Sequence, residues 1–247
     1  MTTRKKTDLI RLCDARPENA EAMPHASAIS ASQIDNTLLR SDTTREDVGN
    51  FLERSLPFSF RTLVVPPWAI PLAVSACSGT ACGVSAVVGF PHGTVPLSVK
   101  LREVETYVSS GVSDLDIVAP VYAIRSGDWK TVELEIRALR EACGARIFKL
   151  IIETPLLSAE EIALLCDISL SGPGPDFLKT GTGFSGKVTT TEHVRLLRER
   201  LRGRRRIKAS GGIRTLADAL SFLDAGADVI GTSAGIGILG EQSASSA

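Results

Sequence analysis

Three short stretches each place one ionisable residue in an apolar setting, and amine chemistry could link them. Lys179 lies in the run DFLKTGTGFSG, Lys208 in IKASGGIRT and Asp116 in DLDIVAPV. Burial lowers the pKa of a lysine, and a second cation nearby lowers it further. A neutral amine can then attack a carbonyl carbon and form a Schiff base. The set predicts covalent catalysis by a lysine, although an exposed strand end is the simpler interpretation for either lysine alone.

Glycine-rich segments follow both lysines and recur near the end of the chain. They read KTGTG from Lys179, SGG at 210–212 and GTSAG at 231–235. Turns of this kind expose backbone N–H groups and short hydroxyls, which suits phosphate binding. Arg214 could add a positive charge, or it could be a solvated residue at the start of a helix. The alternative is that the glycines serve only tight turns between strands and helices.

Eight short apolar runs alternate with amphipathic segments of helical periodicity. The runs lie around Ile34 and at 62–65, 84–88, 115–119, 147–152, 177–180, 207–209 and 229–231. This pattern predicts a (β/α)₈ barrel, because an open doubly wound sheet usually has fewer strands and no G-x-G-x-x-G follows the first one. The C-terminal ends of barrel strands face the active site. Lys179 is then near the end of strand six, Lys208 in strand seven, Asp116 in strand four and Asp35 in strand one.

Composition narrows the class of protein. The 247 residues carry 28 basic and 28 acidic side chains, so no nucleic-acid partner is indicated. No apolar run reaches the roughly 18 residues that span a bilayer, so no membrane partner is expected. Five cysteines at irregular spacing predict reduced thiols, a cytoplasmic location and no metal site. We expect an N-terminal arm or short helix at 1–30, one barrel domain at 31–240 and a flexible tail at 241–247.

Seven motifs occur in order over residues 33 to 238: IDNTLL, VVGFPHG, DLDIV, KLIIET, DFLKTGTGF, KASGGIRT and IGTSAG. Together they resemble the deoxyribose-phosphate aldolases, which are class I aldolases on a (β/α)₈ barrel. The resemblance implies reversible cleavage of 2-deoxy-D-ribose 5-phosphate to D-glyceraldehyde 3-phosphate and acetaldehyde, with neither a metal nor another cofactor. By analogy with the family, it also implies a homo-oligomer, either a dimer or a tetramer.

The same resemblance assigns roles by motif. Lys179 corresponds to the Schiff-base lysine, and Lys208 to a second lysine that lowers the pKa of the first and assists proton transfer. Asp116 corresponds to the acid/base carboxylate, which acts with water, and Asp35 to an aspartate that orients this relay. The residues implied in substrate or phosphate binding are Thr180, Gly183, Gly211, Gly212, Arg214, Gly231 and Ser233.

The chain departs from the family pattern at several positions. Asn36 stands where histidine is frequent, Val64 where cysteine is, and Pro155 where a small or thiol residue is common. Ala234 replaces a frequent serine, and the tail EQSASSA lacks the terminal tyrosine of some members. We expect these departures to affect substrate preference and turnover more than mechanism.

Some interpretations stay open at this level. Lys149 either points into the barrel near the site or forms a structural ion pair with Glu153. The function is a retro-aldol cleavage of deoxyribose 5-phosphate, or a related class I aldolase reaction on another sugar or aldehyde. A non-catalytic sugar-phosphate binding barrel would keep the glycine loops, but it would need neither Lys179 nor Lys208.

Overall fold

Eight parallel strands close into a barrel in the computed structural model, which describes residues 26–245. Each strand pairs with its sequence neighbours, and β1 also pairs with β8. The strands are β1 Ile34–Thr37, β2 Thr62–Val64, β3 Gly83–Val88, β4 Asp114–Val118, β5 Ile147–Ile151, β6 Phe177–Lys179, β7 Arg206–Ser210 and β8 Val229–Thr232. The predicted (β/α)₈ barrel is therefore confirmed, and each predicted apolar run overlaps a strand.

Helices connect the strands and surround the barrel. They are α1 Arg45–Ser55, α2 Ile70–Cys77, α3 Leu97–Ser109, α4 Val121–Arg125, α5 Trp129–Cys143, α6 Ala159–Leu170, α7 Thr191–Leu201, α8 Leu216–Asp224 and α9 Gly235–Ser245. Local sequence explains where several begin. Thr44, Ser158 and Thr215 each cap a helix through a side-chain oxygen that accepts a hydrogen bond from a backbone N–H.

The two faces of each strand have different environments, because successive side chains alternate across a strand. In β4, Leu115 and Ile117 belong to the apolar core that lies between the strands and the helices. Asp114 and Asp116 alternate with them and face the barrel interior, where both are almost fully buried. The apolar layer therefore stabilises the barrel from outside, and the interior is free to hold charge.

The C-terminal end of the described residues differs from the prediction. Residues 241–245 are the end of α9 and not a flexible tail, so that boundary was wrong. The Gln242 side chain accepts a hydrogen bond from the backbone N–H of Ile29 and donates one to its carbonyl oxygen, at 2.7 and 3.1 Å. This pairing fastens the helix to the segment that precedes the barrel. The rest of the predicted arm, at 1–25, lies outside the described residues.

Between residues 26 and 245, none of the helices has both the length and the apolar composition that crossing a bilayer requires.

Candidate active site

The barrel interior brings together the two lysines and the aspartate that the sequence suggests for catalysis. The Nζ atoms of Lys179 and Lys208 lie 2.9 and 2.8 Å from the same atom, Oδ2 of Asp116. Lys208 is also 2.6 Å from Oδ2 of Asp35. One carboxylate oxygen therefore holds both amines, and the second aspartate fixes the position of Lys208.

Strand register accounts for this convergence. Lys179 of β6 is the direct partner of Lys208 in β7, and Asp116 of β4 is the partner of Lys149 in β5. Paired residues of neighbouring strands project from the same face of a sheet. Because that face is the inside of a closed barrel, the four side chains share a small buried space. Lys179 is the last residue of its strand and lies nearest the barrel mouth.

Burial lowers the pKa of Lys179 to about 8. The negative charge of Asp116 opposes this shift, while the positive charges of Lys208 and Lys149 add to it. Burial alone would raise the pKa of Asp116, but the surrounding lysines hold it well below its usual range. At pH 7 roughly a tenth of Lys179 is then the neutral amine. Such a pair offers a nucleophile next to a carboxylate that is ionised in the resting site.

A second layer of charge lies beneath these groups. Lys149 Nζ is 2.8 Å from Oδ1 of Asp116 and 2.7 Å from Oδ2 of Asp114. Lys149 therefore points into the barrel, and the alternative ion pair with Glu153 was wrong. The Glu153 carboxylate instead accepts the backbone N–H of Thr182, with the nearer oxygen at 3.1 Å, and so holds the loop that follows Lys179.

Arg61 completes this layer from the start of β2. Its Nη1 is 2.9 Å from Oδ1 of Asp35, and its Nη2 is 2.7 Å from Oδ2 of Asp114. Neither Arg61 nor Asp114 is among the residues that the sequence motifs predict for the site. Asp114 could have been found, because it stands two residues before Asp116 in DLDIV and therefore shares its face. Arg61 gave no such signal, since its partners are 26 and 53 residues away.

A cavity of about 210 Å³ opens at the barrel mouth above Lys179. Six of the residues proposed for substrate or phosphate binding line it: Gly183, Gly211, Gly212, Arg214, Gly231 and Ser233. Thr180 does not line it. The Thr180 hydroxyl is buried, donates to the carbonyl oxygen of Ser210 at 2.9 Å and accepts the Ser210 N–H at 3.0 Å. Thr180 thus ties the loop after β6 to the loop after β7.

Three glycine positions in this cavity have clear structural causes. Gly211 and Gly212 have φ values of +105° and +93°, a conformation that residues with a side chain rarely adopt. Gly231 makes room for a catalytic candidate, since a Cβ atom there would lie 2.7 Å from Cε of Lys208. Gly231 therefore supports the position of the lysine in addition to lining the cavity.

A second cavity, of about 480 Å³, lies on the other side of the β6–α7 loop. It is bounded by the end of β4 at Val118 and by the loops after β3, β4 and β5, including His92 and Leu156. Thr182 and Phe184 line both cavities and separate them. The site at the barrel mouth is therefore divided into a glycine-rich side and a more apolar side.

The departures from the family pattern lie in different environments. Asn36 donates from Nδ2 to Oγ of Ser55 in α1, at 3.0 Å, and a Cβ on Gly235 would lie 2.7 Å from its Oδ1. Asn36 therefore packs between β1 and the helix layer, away from the lysines. The backbone N–H of Ala234 donates to Oγ1 of Thr232 at 2.9 Å, within the loop after β8.

Fold and site together define a class: a (β/α)₈ barrel with a buried lysine of lowered pKa at its mouth, as imine-forming aldolases require. A family model for DeoC/LacD family aldolases matches residues 74–240. The chain is also 41% identical over 206 residues to a deoxyribose-phosphate aldolase of Streptococcus pneumoniae, covering 83% of this chain and 93% of that one. The chain belongs to the DeoC/LacD family of aldolases.

Two further relatives support this assignment. A deoxyribose-phosphate aldolase of Rhodospirillum rubrum is 38% identical over 230 residues, which is 93% of this chain and 96% of that protein. The tetrameric structure of deoxyribose phosphate aldolase from Aeropyrum pernix superimposes with a TM-score of 0.76 at 32% identity. That superposition covers 85% of this chain and 89% of the other.

Proposed function

We propose that the protein cleaves 2-deoxy-D-ribose 5-phosphate to D-glyceraldehyde 3-phosphate and acetaldehyde through a Schiff base on Lys179. The observation that carries this proposal is a buried lysine of pKa about 8 that contacts a carboxylate and also lines a cavity. The family membership supports the reaction class, and the curated relatives named above support the substrate.

In the first stage, the neutral Nζ of Lys179 attacks the C1 aldehyde carbon of the open-chain sugar. The hydroxyl of the resulting carbinolamine takes up a proton from solvent and leaves as water. The product is a protonated imine, which is an electron sink for cleavage of the C2–C3 bond. The imine keeps one positive charge at Nζ, so the nearby Asp116 carboxylate still has a cationic partner.

In the second stage, the C3 hydroxyl loses its proton and the C2–C3 bond breaks. Its electrons move toward the imine, which releases glyceraldehyde 3-phosphate and leaves an enamine of acetaldehyde on Lys179. We assign the proton transfers to Asp116, acting with water, and we assign Lys208 to holding that carboxylate in place. The enamine takes up a proton at C2, and hydrolysis of the imine then releases acetaldehyde. Proton transfer of this kind contributes about 10²–10⁴-fold.

The substrate phosphate would occupy the glycine-rich cavity above Lys179. Gly211, Gly212 and Ser233 supply a turn and a short hydroxyl there, and the charges of Arg214 and Arg40 lie at the same cavity. We assign Asp35 the role of orienting Lys208 in the relay, since its Oδ2 lies 2.6 Å from Nζ of that lysine. We assign Thr180 an indirect part in binding, through the loops that its hydroxyl joins.

The test of this function compares phosphorylated with free deoxyribose in an assay of acetaldehyde release. We expect kcat/KM to be at least ten times higher for the phosphorylated sugar. Release of acetaldehyde from neither sugar would overturn the proposed activity. Equal kcat/KM for the two would remove the phosphate assignment and favour a related aldolase with another sugar or aldehyde preference.

We also propose that the enzyme is a homo-oligomer in the cytoplasm. The Aeropyrum pernix relative is tetrameric. Cys77, Cys82, Cys143 and Cys166 are free thiols, which fits a reducing compartment. Light scattering after size exclusion would contradict the first part if it gave the 26.2 kDa mass of one chain.

A further inference from the structure

The charged network inside the barrel holds more cations than anions among the described residues. Its cations are the side chains of Lys149, Lys179, Lys208 and Arg61, and its anions are Asp35, Asp114 and Asp116. With every group ionised, the network carries one uncompensated positive charge. Loss of the proton from Lys179 balances it.

We propose that Arg61 is a positioning residue whose charge, acting through Asp35 and Asp114 from the far end of the barrel, favours the neutral, nucleophilic form of Lys179. This inference rests on the proposed Schiff-base function and concerns the same site. It adds a residue that does not touch the substrate cavity.

The backbone and side chain of Arg61 are both held firmly. Its N–H donates to the carbonyl oxygen of Ile34 at 3.0 Å, and its own carbonyl oxygen accepts the N–H of Gly83, also at 3.0 Å. The side chain is only 17% exposed. Its guanidinium carbon lies 5.2 Å from the centroid of the Phe177 ring, two residues before Lys179. These contacts place a permanent cation at a defined point beneath the catalytic candidates.

Two series of ion pairs connect Arg61 to Lys179. In the first, Asp35 binds Arg61 through Oδ1 and Lys208 through Oδ2. In the second, Oδ2 of Asp114 lies 2.7 Å from both Arg61 and Lys149. Lys208 and Lys149 then bind the two different oxygens of Asp116, which also contacts Lys179. Both series of ion pairs end at the Asp116 carboxylate.

Removal of Arg61 would reverse which protonation state of Lys179 makes the network neutral. Asp35 and Asp114 would each lose a cationic partner, and their uncompensated charge would be shared with the lysines that they contact. A network without Arg61 is neutral when Lys179 keeps its proton and negative when Lys179 loses it. The protonated, unreactive form of Lys179 is then favoured. Among the described residues, Arg206 is a second cation at the Phe177 ring, with its guanidinium carbon 4.0 Å from the ring centroid.

The experiment measures imine formation directly, with acetaldehyde as the probe. Cyanoborohydride traps the imine, and the rate of labelling at Lys179 is followed by mass spectrometry from pH 6 to 10. For Arg61→Met we expect the midpoint of the profile to move to higher pH. Labelling at pH 7 would be about 3- to 10-fold slower, and the profiles would converge at alkaline pH, where Lys179 is neutral in both proteins.

Three further variants separate a charge effect from a packing effect. Arg61→Lys restores the charge, so its midpoint should return toward that of the parent protein. Arg206→Met removes the other cation from the Phe177 ring and should not move the midpoint, because no ion pair joins Arg206 to the described carboxylates. Asp114→Asn removes an anion from the same bridge, so its midpoint should move to lower pH. A general loosening of the barrel would not give opposite shifts.

An unchanged or lowered midpoint for Arg61→Met would overturn the inference, as would an equal shift for Arg206→Met. If Arg61→Met does not fold, as judged by circular dichroism, the Asp114→Asn variant tests the inference instead. A midpoint for Asp114→Asn that is not lower than that of the parent protein would then overturn the inference. A parent protein that gives no label on Lys179 at any pH would instead overturn the proposed function. The two failures are therefore distinguishable.

Discussion

Two buried lysines show how differently the same side chain can be used in this barrel. Lys100 of α3 is fully buried outside the strands, and its Nζ lies 2.5 Å from Oε1 of Glu135 in α5 and 2.8 Å from the carbonyl oxygen of Val118. Lys179 is buried inside the strands, where it shares a carboxylate oxygen with Lys208. Burial lowers the pKa of both lysines, so burial alone does not mark a nucleophile.

The difference lies in charge balance and access. Lys100 has one carboxylate partner and lines neither of the two cavities at the barrel mouth. Lys179 belongs to a network with an extra cation, and it lines the cavity at the barrel mouth. A lysine becomes a candidate nucleophile when losing its proton relieves an imbalance and a carbonyl carbon can reach it.

Removal of the shared carboxylate should have the largest effect of the variants that keep Lys179. Asp116→Asn takes away the proposed acid/base group and leaves three lysines around a neutral amide. We expect kcat to fall about 10²- to 10⁴-fold. Glu135→Gln is the matched control, since it removes the carboxylate of the other buried pair and should lower kcat less than threefold. Equal losses for the two variants would contradict the assignment.

Substitutions in the buried Lys100–Glu135 pair should lower the free energy of unfolding and leave the rate of imine formation unchanged. Lys100→Met leaves Glu135 buried without its cation, which typically costs about 3–5 kcal/mol of unfolding free energy. The double variant Lys100→Met/Glu135→Leu should regain most of that loss, because a buried pair can often be replaced by apolar groups of similar volume. Denaturant unfolding measures both. A shift in the pH profile of imine formation for either variant would contradict the proposed difference between Lys100, which acts only in stability, and Lys179.

A smaller, directional effect is expected from Lys208. Burial is the main cause of the lowered pKa of Lys179, and the positive charge of Lys208 adds to it. Lys208→Leu should therefore raise the pKa of Lys179 above about 8, and the rising limb of the pH–rate profile should move to higher pH. At pH 7 the trapped imine would form about tenfold more slowly. A profile that stays at the same midpoint would remove this electrostatic role.

The smallest effect should come from the rim of the cavity. Arg214 is exposed, and exposed charge pairs are worth at most about 1 kcal/mol. Arg214→Ala should raise KM for the phosphorylated sugar about three- to fivefold, with kcat and the constants for free deoxyribose unchanged. An equal change for both sugars would show that Arg214 does not bind phosphate.

Sequence reasoning found what local patterns encode. The apolar runs gave all eight strands, and the lysine and aspartate positions within them gave the charged side chains that the barrel interior brings together. It missed Arg61, whose partners are brought close only by barrel closure, and Lys100, whose pairing with Glu135 depends on how α3 packs against α5. It also assigned residues 241–245 to a tail, because the support that Gln242 gains from Ile29 comes from the other end of the chain.

The central claim is that Lys179 is the residue that forms the imine. Incubation with deoxyribose 5-phosphate and borohydride, followed by peptide mapping, tests it most directly. We expect one reduced adduct, located on Lys179, with none on Lys208, Lys149 or Lys100. We also expect that Lys179→Met abolishes the adduct. A parent protein without label on Lys179, or with the label on another lysine, would contradict the account.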